Sequence, residues 1–270
     1  MTEREKKKQK LEEIIKTAGK VAVAFSGGVD SAYLLYEARR LLGGDVLAVT
    51  ACSAAVPESE LSEAVSFCKE RGIRHIICGT EELKLPEYRS NSEKRCYYCK
   101  REIFKTLSAA ALKEGFPVIV DGSNTDDDGD YRPGIAALKE LGIRSPLKEA
   151  GYSKADIRFF SEAAHLPTWD KPSFACLASR IPYGDEITEE KLKMAGEAEA
   201  YLRKLGFKQF RVRIHGKLAR IETLPEDFER ITAPELREKI YDRLKDIGFV
   251  YTALDLKGYR QGSMNELILY

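Results

Sequence analysis

Val21-Ala22-Val23-Ala24-Phe25-Ser26-Gly27-Gly28-Val29-Asp30-Ser31 joins a short apolar run to a glycine turn, and Ser31 to Leu42 then has helical character. A continuous apolar run of this length suits a parallel strand buried on both faces. The same alternation extends outward on both sides. Leu11 to Ala18 reads as a short amphipathic helix. Downstream come a strand at Val46 to Thr50, a helix at Glu58 to Arg71, a strand at Arg74 to Cys78, a helix at Arg101 to Glu114 and a strand at Pro117 to Asp121. Strands alternating with helices predict a doubly wound α/β domain with a parallel sheet over residues 1–185.

The pattern changes after about residue 185. Thr188 to Leu205 reads as a long helix. Phe210 to Ile214 alternates, and Leu218 to Glu222 is its expected hairpin partner across Gly216-Lys217. A helix at Pro234 to Ile247 and a strand at Phe249 to Leu256 complete a smaller α+β domain over residues 186–270.

The 270 residues are 43% hydrophobic, enough for a substantial core. Lys and Arg total 44 against 43 for Asp and Glu, a net charge of +1 that gives no support to a general polyanion-binding surface. Nucleic acid is therefore not an expected partner. Glu3 to Lys10 is polar and Lys-rich with no apolar run behind it. Neither a secretory signal nor a membrane span is expected, and the cytoplasm is the default location.

The glycine turn carries the clearest chemistry. Glycines let backbone N–H groups approach an anion, and the new helix points its positive end at the same place. Ser26 and Ser31 add hydroxyl donors, while Asp30 suits Mg2+ or an orienting role. The spacing is not that of a Walker A loop. A second loop, Asp121-Gly122-Ser123-Asn124-Thr125-Asp126-Asp127-Asp128, follows the fourth strand at its carboxyl end, where its carboxylates can hold metal or ribose hydroxyls or simply be solvated. Arg132 beside Pro133 and Gly134 is a candidate clamp for a carboxylate or phosphate.

Six cysteines divide into two kinds. Cys52, Cys68 and Cys78 sit singly among apolar neighbours and read as small core residues. Cys96-Tyr97-Tyr98-Cys99 is a CxxC, and Cys176 stands in a loop between Lys171 and Arg180, whose charges favour a thiolate. The CxxC is open to several readings: ligands to iron, a redox or disulfide pair, or no special role. Structural zinc wants four ligands, and His75, His165 and His215 are isolated.

Ser26-Gly27-Gly28-Val29-Asp30-Ser31 resembles the PP-loop of the N-type ATP pyrophosphatases, which cleave ATP between the α- and β-phosphates and adenylylate their substrates. Further segments resemble the LarE sulfur transferases of that superfamily: Lys171 to Gly184 around Cys176, Arg211-Val212-Arg213, Ala219-Arg220-Ile221-Glu222, and Gly258 to Asn265. With the PP-loop these span nearly the whole chain. The resemblance implies ATP and Mg2+ at Ser26 to Ser31 and adenylylation of pyridinium-3,5-biscarboxylic acid mononucleotide. Sulfur is then delivered during synthesis of the nickel-pincer nucleotide, the lactate racemase cofactor. It further implies Cys176, Asp30 and Arg180 as catalytic residues and Arg211, Arg213, Glu199, Glu222 and Arg260 around the substrate, with Glu197 competing for the place of Glu199. The family has a form with one sacrificial cysteine and a form with three cysteines on a [4Fe-4S] cluster that carries an extra sulfide. Cys96, Cys99 and Cys176 resemble the second. A sulfide or other sulfur donor and a homo-oligomer are implied too. The rival readings are an ammonia-using amide synthetase such as NAD synthetase, a tRNA thiolase, or a nucleotide-binding regulator without turnover.

Overall fold

Strands Val21–Ala24 (β1), Val46–Cys52 (β2), Arg74–Gly79 (β3) and Val118–Val120 (β4) form one parallel sheet in the order β3-β2-β1-β4. The computed structural model describes residues 1–129, 133–172, 175–260 and 262–264, the side chains of Asp128 and Gly129 excepted. Two units make up the chain: Met1–Glu82 with Cys96–Phe174, and Leu83–Arg95 with Ala175–Tyr270.

The first unit contains the parallel sheet. The apolar run of β1 is continuous because each of its faces has its own core. Val21, Val23 and Phe25 join Val46 and Ala48 against Leu11, Leu34, Phe67 and Ile157. Ala22 joins Leu47, Val49 and Ile119 against Phe104, Leu107 and Leu138. Helices Glu3–Ala18, Val29–Leu42, Glu58–Glu70 and Lys154–Ala163 supply the first face, and Arg95–Lys113 and Gly134–Glu140 the second. This is the doubly wound α/β arrangement expected. Each such side chain contributes roughly 1.5–3 kcal/mol on full burial.

Two boundaries differ from expectation. The first helix starts at Glu3 rather than Leu11, because Thr2 and Glu5 form a reciprocal capping box that holds a polar first turn. The helix expected from Arg101 begins at Arg95 and so includes the CxxC.

In the second unit, Phe210–His215 (β5) pairs antiparallel with Leu218–Thr223 (β6), and Tyr251–Leu254 (β7) pairs parallel with β6. The hairpin is the one expected. Thr188 caps helix Glu189–Lys204 by accepting from the Lys191 N–H at 3.2 Å. Helix Pro234–Ile247 ends at left-handed Gly248. Among the described residues no helix is long and apolar enough to cross a membrane.

Candidate active site

β1 lies between β2 and β4, so the chain leaves β1 toward one side and returns on the other. Ligands of open α/β sheets bind at such switch points, beyond the carboxyl ends of the strands. The loop Ser26–Ser31 follows β1 there, and Asp121–Asn124 follows β4. They touch through Gly122: a Cβ on it would stand 2.8 Å from the Ser31 nitrogen. That approach requires glycine.

The loop is held from within and from beneath. Gly27 adopts φ +75°, the left-handed region. Ser31 Oγ donates to the Gly28 carbonyl at 3.2 Å and lies 3.1 Å from Ser26 Oγ. Below, the Thr50 hydroxyl donates to the Phe25 carbonyl at 2.7 Å. Having spent its proton, Thr50 Oγ1 accepts from His75 Nε2 at 2.8 Å, which assigns the tautomer. Burial pushes the His75 imidazole below its ordinary value. Helix Val29–Leu42 has Gly28 at its cap and no side-chain cap bond, so no side chain caps its first turn in place of an anion.

Asp30 is the unusual member. One carboxylate oxygen pairs with the Lys154 ammonium, and the other, Oδ1, is buried with no hydrogen-bond partner. Burial raises its pKa above the ordinary carboxylate value despite Lys154. An orphaned buried carboxylate oxygen carries a desolvation penalty that a hard cation relieves, so the residue fits Mg2+.

Among the side chains around the loop, Lys154, Glu60, Glu63 and Arg158 were not singled out by sequence. Lys171 Nζ lies 2.7 Å from both Glu60 and Glu63 and donates to the Gly27 carbonyl at 3.1 Å. Its charge is thus compensated beside the phosphate loop, a role different from the expected one near the thiol. Arg158 fixes that segment by donating to the Trp169 and Lys171 carbonyls at 2.6 and 2.8 Å. The acidic loop is largely engaged in building itself. Asp121 accepts from Ser123 and Ser145, Asp127 accepts from the Asn124 N–H at 2.9 Å, and Asp126 accepts from the Lys154 N–H at 2.9 Å. Arg132 lies outside the described residues, as do Tyr131, Ser173, Phe174, Gln261 and Asn265 of the quoted segments.

The second unit holds a different construction, a buried network of guanidiniums and carboxylates. Arg180 is fully buried and forms a two-pronged pair with Glu199, Nε to Oε1 at 2.7 Å and Nη2 to Oε2 at 2.8 Å. Glu199 Oε1 also accepts the Val212 N–H at 3.0 Å. Glu197 instead is 39% exposed, near Lys193 and Arg243 on the helix surface. Arg180 Nη1 donates to the carbonyls of Ala175 and Cys176 at 2.9 and 3.3 Å, so it grips the turn that presents the exposed Cys176.

Register explains the rest. Arg213 stands opposite Arg220 across β5 and β6, an unfavourable like-charge pair by itself. Glu222, with no exposure, resolves it: Oε2 accepts from Arg213 at 2.8 Å and Oε1 from Arg220 at 3.0 Å. Ser263 Oγ bonds both Arg213 and Glu222 at 2.9 Å. Arg213 Nη1 reaches the Ser179 carbonyl at 2.9 Å, and its Nε is buried without a partner. Arg211 lies over the Tyr259 ring at 5.0 Å, and burial, with Arg180 nearby, lowers its pKa. Arg260 pairs with Asp255 at 3.2 Å, which also faces Arg220. β5 is thus buried on both faces.

Of the cysteines, Cys68 is buried in the core, and burial pushes its thiol up to about 12. Cys52 and Cys78 are half-buried. Cys96 and Cys99 are half-buried, three residues apart in the first turn and a half of helix Arg95–Lys113, hence on one face. Among the described residues no group of three or more His, Cys, Asp or Glu side chains is assembled as a metal centre. The thiol donors themselves fit iron–sulfur ligation.

A Ser-Gly-Gly-Val-Asp-Ser loop at the switch point of a parallel sheet defines the PP-loop ATP-using class. In keeping with this, the chain is 26% identical over 200 residues to a GMP synthase of Aeropyrum pernix, covering 67% of this chain and 38% of that protein. It is 36% identical over 267 residues to the pyridinium-3,5-bisthiocarboxylic acid mononucleotide synthase of Lactiplantibacillus plantarum, covering 97% of this chain and 95% of that one. An uncharacterised protein of Synechocystis sp. is 42% identical over 98% of both chains. No family model matches the sequence. The chain belongs to the LarE family of ATP-dependent sulfur transferases.

Proposed function

We propose that this enzyme adenylylates a carboxylate of pyridinium-3,5-biscarboxylic acid mononucleotide and converts it to a thiocarboxylate, on the way to the nickel-pincer nucleotide. The observation that carries the reading is the likeness to the bisthiocarboxylic acid mononucleotide synthase, which extends over 97% of the chain. The substrate carboxylate oxygen attacks the α-phosphate of ATP, forming an acyl–phosphate bond as the bond to the β-phosphate breaks and pyrophosphate leaves. A sulfur nucleophile then attacks the acyl carbon, forming C–S as C–O breaks and AMP departs. Activation is needed because a free carboxylate is a poor electrophile.

The chain's residues divide this work. Ser26, Gly27, Gly28, Val29 and Ser31 cradle the triphosphate, and Asp30 turns its orphaned oxygen to Mg2+. Arg211 and Arg213, with Arg260, hold the mononucleotide phosphate, while Glu222 fixes the Arg213 guanidinium and Glu199 fixes Arg180. Arg180 sets the turn that carries Cys176. Cys96, Cys99 and Cys176 would hold a [4Fe-4S] cluster, which when bound supplies sulfide at the iron without a cysteine. The chain works without a membrane or nucleic-acid partner, in the cytoplasm and as a homo-oligomer.

Iron and acid-labile sulfide per chain after anaerobic reconstitution test the ligand set, beside Cys96→Ala, Cys99→Ala and Cys176→Ala. About four irons in the parent and a sharp loss in each variant are expected. A full cluster retained in all three would refute the assignment.

A further inference from the structure

The Cys176 turn is held by more than Arg180. Asn91 is fully buried and adopts φ 52°, a left-handed conformation that Asn tolerates better than most residues. Its Nδ2 faces three carbonyl oxygens of the segment that follows the cysteine turn: Ile181 at 3.2 Å, Pro182 at 2.6 Å and Asp185 at 3.0 Å. Its own carbonyl accepts from the Gly184 N–H at 3.1 Å. Its Oδ1 accepts from Arg95 Nη1 at 2.6 Å, and the same Arg95 nitrogen donates to the Ala178 carbonyl at 3.1 Å. The Arg95 guanidinium also stands 5.2 Å from the Tyr183 ring. Four successive contacts therefore grip the backbone around Cys176. Arg180 takes the carbonyls of Ala175 and Cys176, Arg95 takes Ala178, and Arg213 takes Ser179.

Leu177, Ala178 and Arg180 of this turn are buried while Cys176 is exposed, so the clamp lies largely away from water. Each buried donor placed here must leave water, and that cost is recovered only if every bond is made. Arg95 is also the first residue of helix Arg95–Lys113.

We infer that Asn91 and Arg95 are positioning residues for the sulfur-handling thiol, acting through the Ala178–Asp185 backbone to hold Cys176 in register beside the guanidiniums. The inference rests on the assignment of Cys176 to sulfur handling for its effect on turnover, but its effect on the thiol itself is independent of that assignment. Asn91→Asp is nearly isosteric and keeps the acceptor for Arg95, but it replaces the donor with a carboxylate oxygen facing three carbonyls. Arg95→Lys keeps the charge but shortens the reach of the nitrogen that donates to both Asn91 and Ala178, and it loses the planar guanidinium beside Tyr183.

The test is amide hydrogen exchange of the 176–185 segment in the full-length protein, resolved by peptide mass, together with ATP-dependent thiocarboxylate formation by the reconstituted enzyme. In both variants that segment should exchange at least tenfold faster, while the amides of the parallel sheet are unchanged. The kcat for thiocarboxylate formation should fall at least tenfold, while KM for ATP is unchanged. Unchanged exchange of the segment in folded Asn91→Asp and Arg95→Lys overturns the inference, whether or not the parent makes thiocarboxylate, and so does an unchanged kcat in variants of an active parent. If Asn91→Asp does not fold, Arg95→Lys decides alone. Faster exchange in the variants of a parent without thiocarboxylate activity would uphold the positioning and refute only the assigned reaction.

Discussion

The two units arrange their candidate anion-binding groups in opposite ways. In the first, the phosphate loop is made of backbone: two glycines, an uncapped helix start and hydroxyls that close on the loop itself. In the second, charge is gathered by side chains from four separated stretches, and Arg180, Arg211, Arg213, Arg220 and Arg260 are set around Glu199, Glu222 and Asp255. A backbone site costs little to keep buried, because its donors are needed by the fold in any case. A buried guanidinium site is costly unless every charge is paired, which is why Glu222 serves two arginines at once.

If this contrast holds, the largest effect should come from unpairing the second site. Arg180→Ala leaves Glu199 buried without its partner and should destabilise the second unit by about 3–5 kcal/mol. Urea unfolding followed by probes in that unit measures it. A loss under about 1 kcal/mol would show that the pair is not the keystone of the network.

The first site should respond in chemistry rather than in stability. Asp30→Asn removes the carboxylate that fits the cation, and pyrophosphate release should fall by about 10²- to 10³-fold. Because burial already holds the Asp30 pKa up, the folded state gains little from its charge, and the melting temperature should barely move. Normal pyrophosphate release would remove Asp30 from the mechanism.

A smaller effect sharpens the comparison from the ligand side. Inorganic phosphate at ten times its dissociation constant should stabilise the second unit by about 1.4 kcal/mol. That increment should vanish in Arg211→Gln, whose parent guanidinium is desolvated and near Arg180. An equal increment in the variant would place the anion elsewhere.

The smallest effect lies outside the candidate site residues. Burial alone would raise the Asp156 pKa, yet hydrogen bonds from Lys7, Ser153 and Arg4 hold it at about 2. A depressed carboxylate pKa stabilises the fold above the ordinary value and loses that contribution as pH falls through the folded one. Asp156 should therefore contribute fully above pH 3.8 and lose its contribution toward pH 2. Asp156→Asn should cost about 1 kcal/mol at neutral pH, the scale of a lost cap with partly exposed cations. No change in acid unfolding would leave the pairing without weight.

The same contrast decides what could be read in advance. The phosphate loop is contiguous, and its geometry follows from local rules about glycine and helix starts. The apolar run of β1 likewise announced a strand covered on both faces. Arg211 and Arg213 were visible as an alternating pair, but their burial was not. It depends on Glu222 across the register, on Ser263 some fifty residues on and on the Ser179 carbonyl. Lys154 and Glu60 gave no local signal, because their positions beside the loop are set by the packing of distant helices, and Lys171 was legible only as a charge near Cys176. Asn91 is the partial exception: no motif marks it, yet it is one of two non-glycine residues with positive φ among the described residues. Thr2 and Glu5 could have been found, since the capping box is a four-residue pattern.

The most direct test of ATP-dependent sulfur transfer is mass analysis of the product formed from ATP, Mg2+, the biscarboxylic acid mononucleotide and isotopically heavy sulfide, using the anaerobically reconstituted enzyme. The account predicts a product in which one carboxylate oxygen has been replaced by heavy sulfur, formed over repeated turnovers with one AMP and one pyrophosphate for each. An amide formed from ammonia, or nucleotide cleavage with no sulfur in any product, would contradict it.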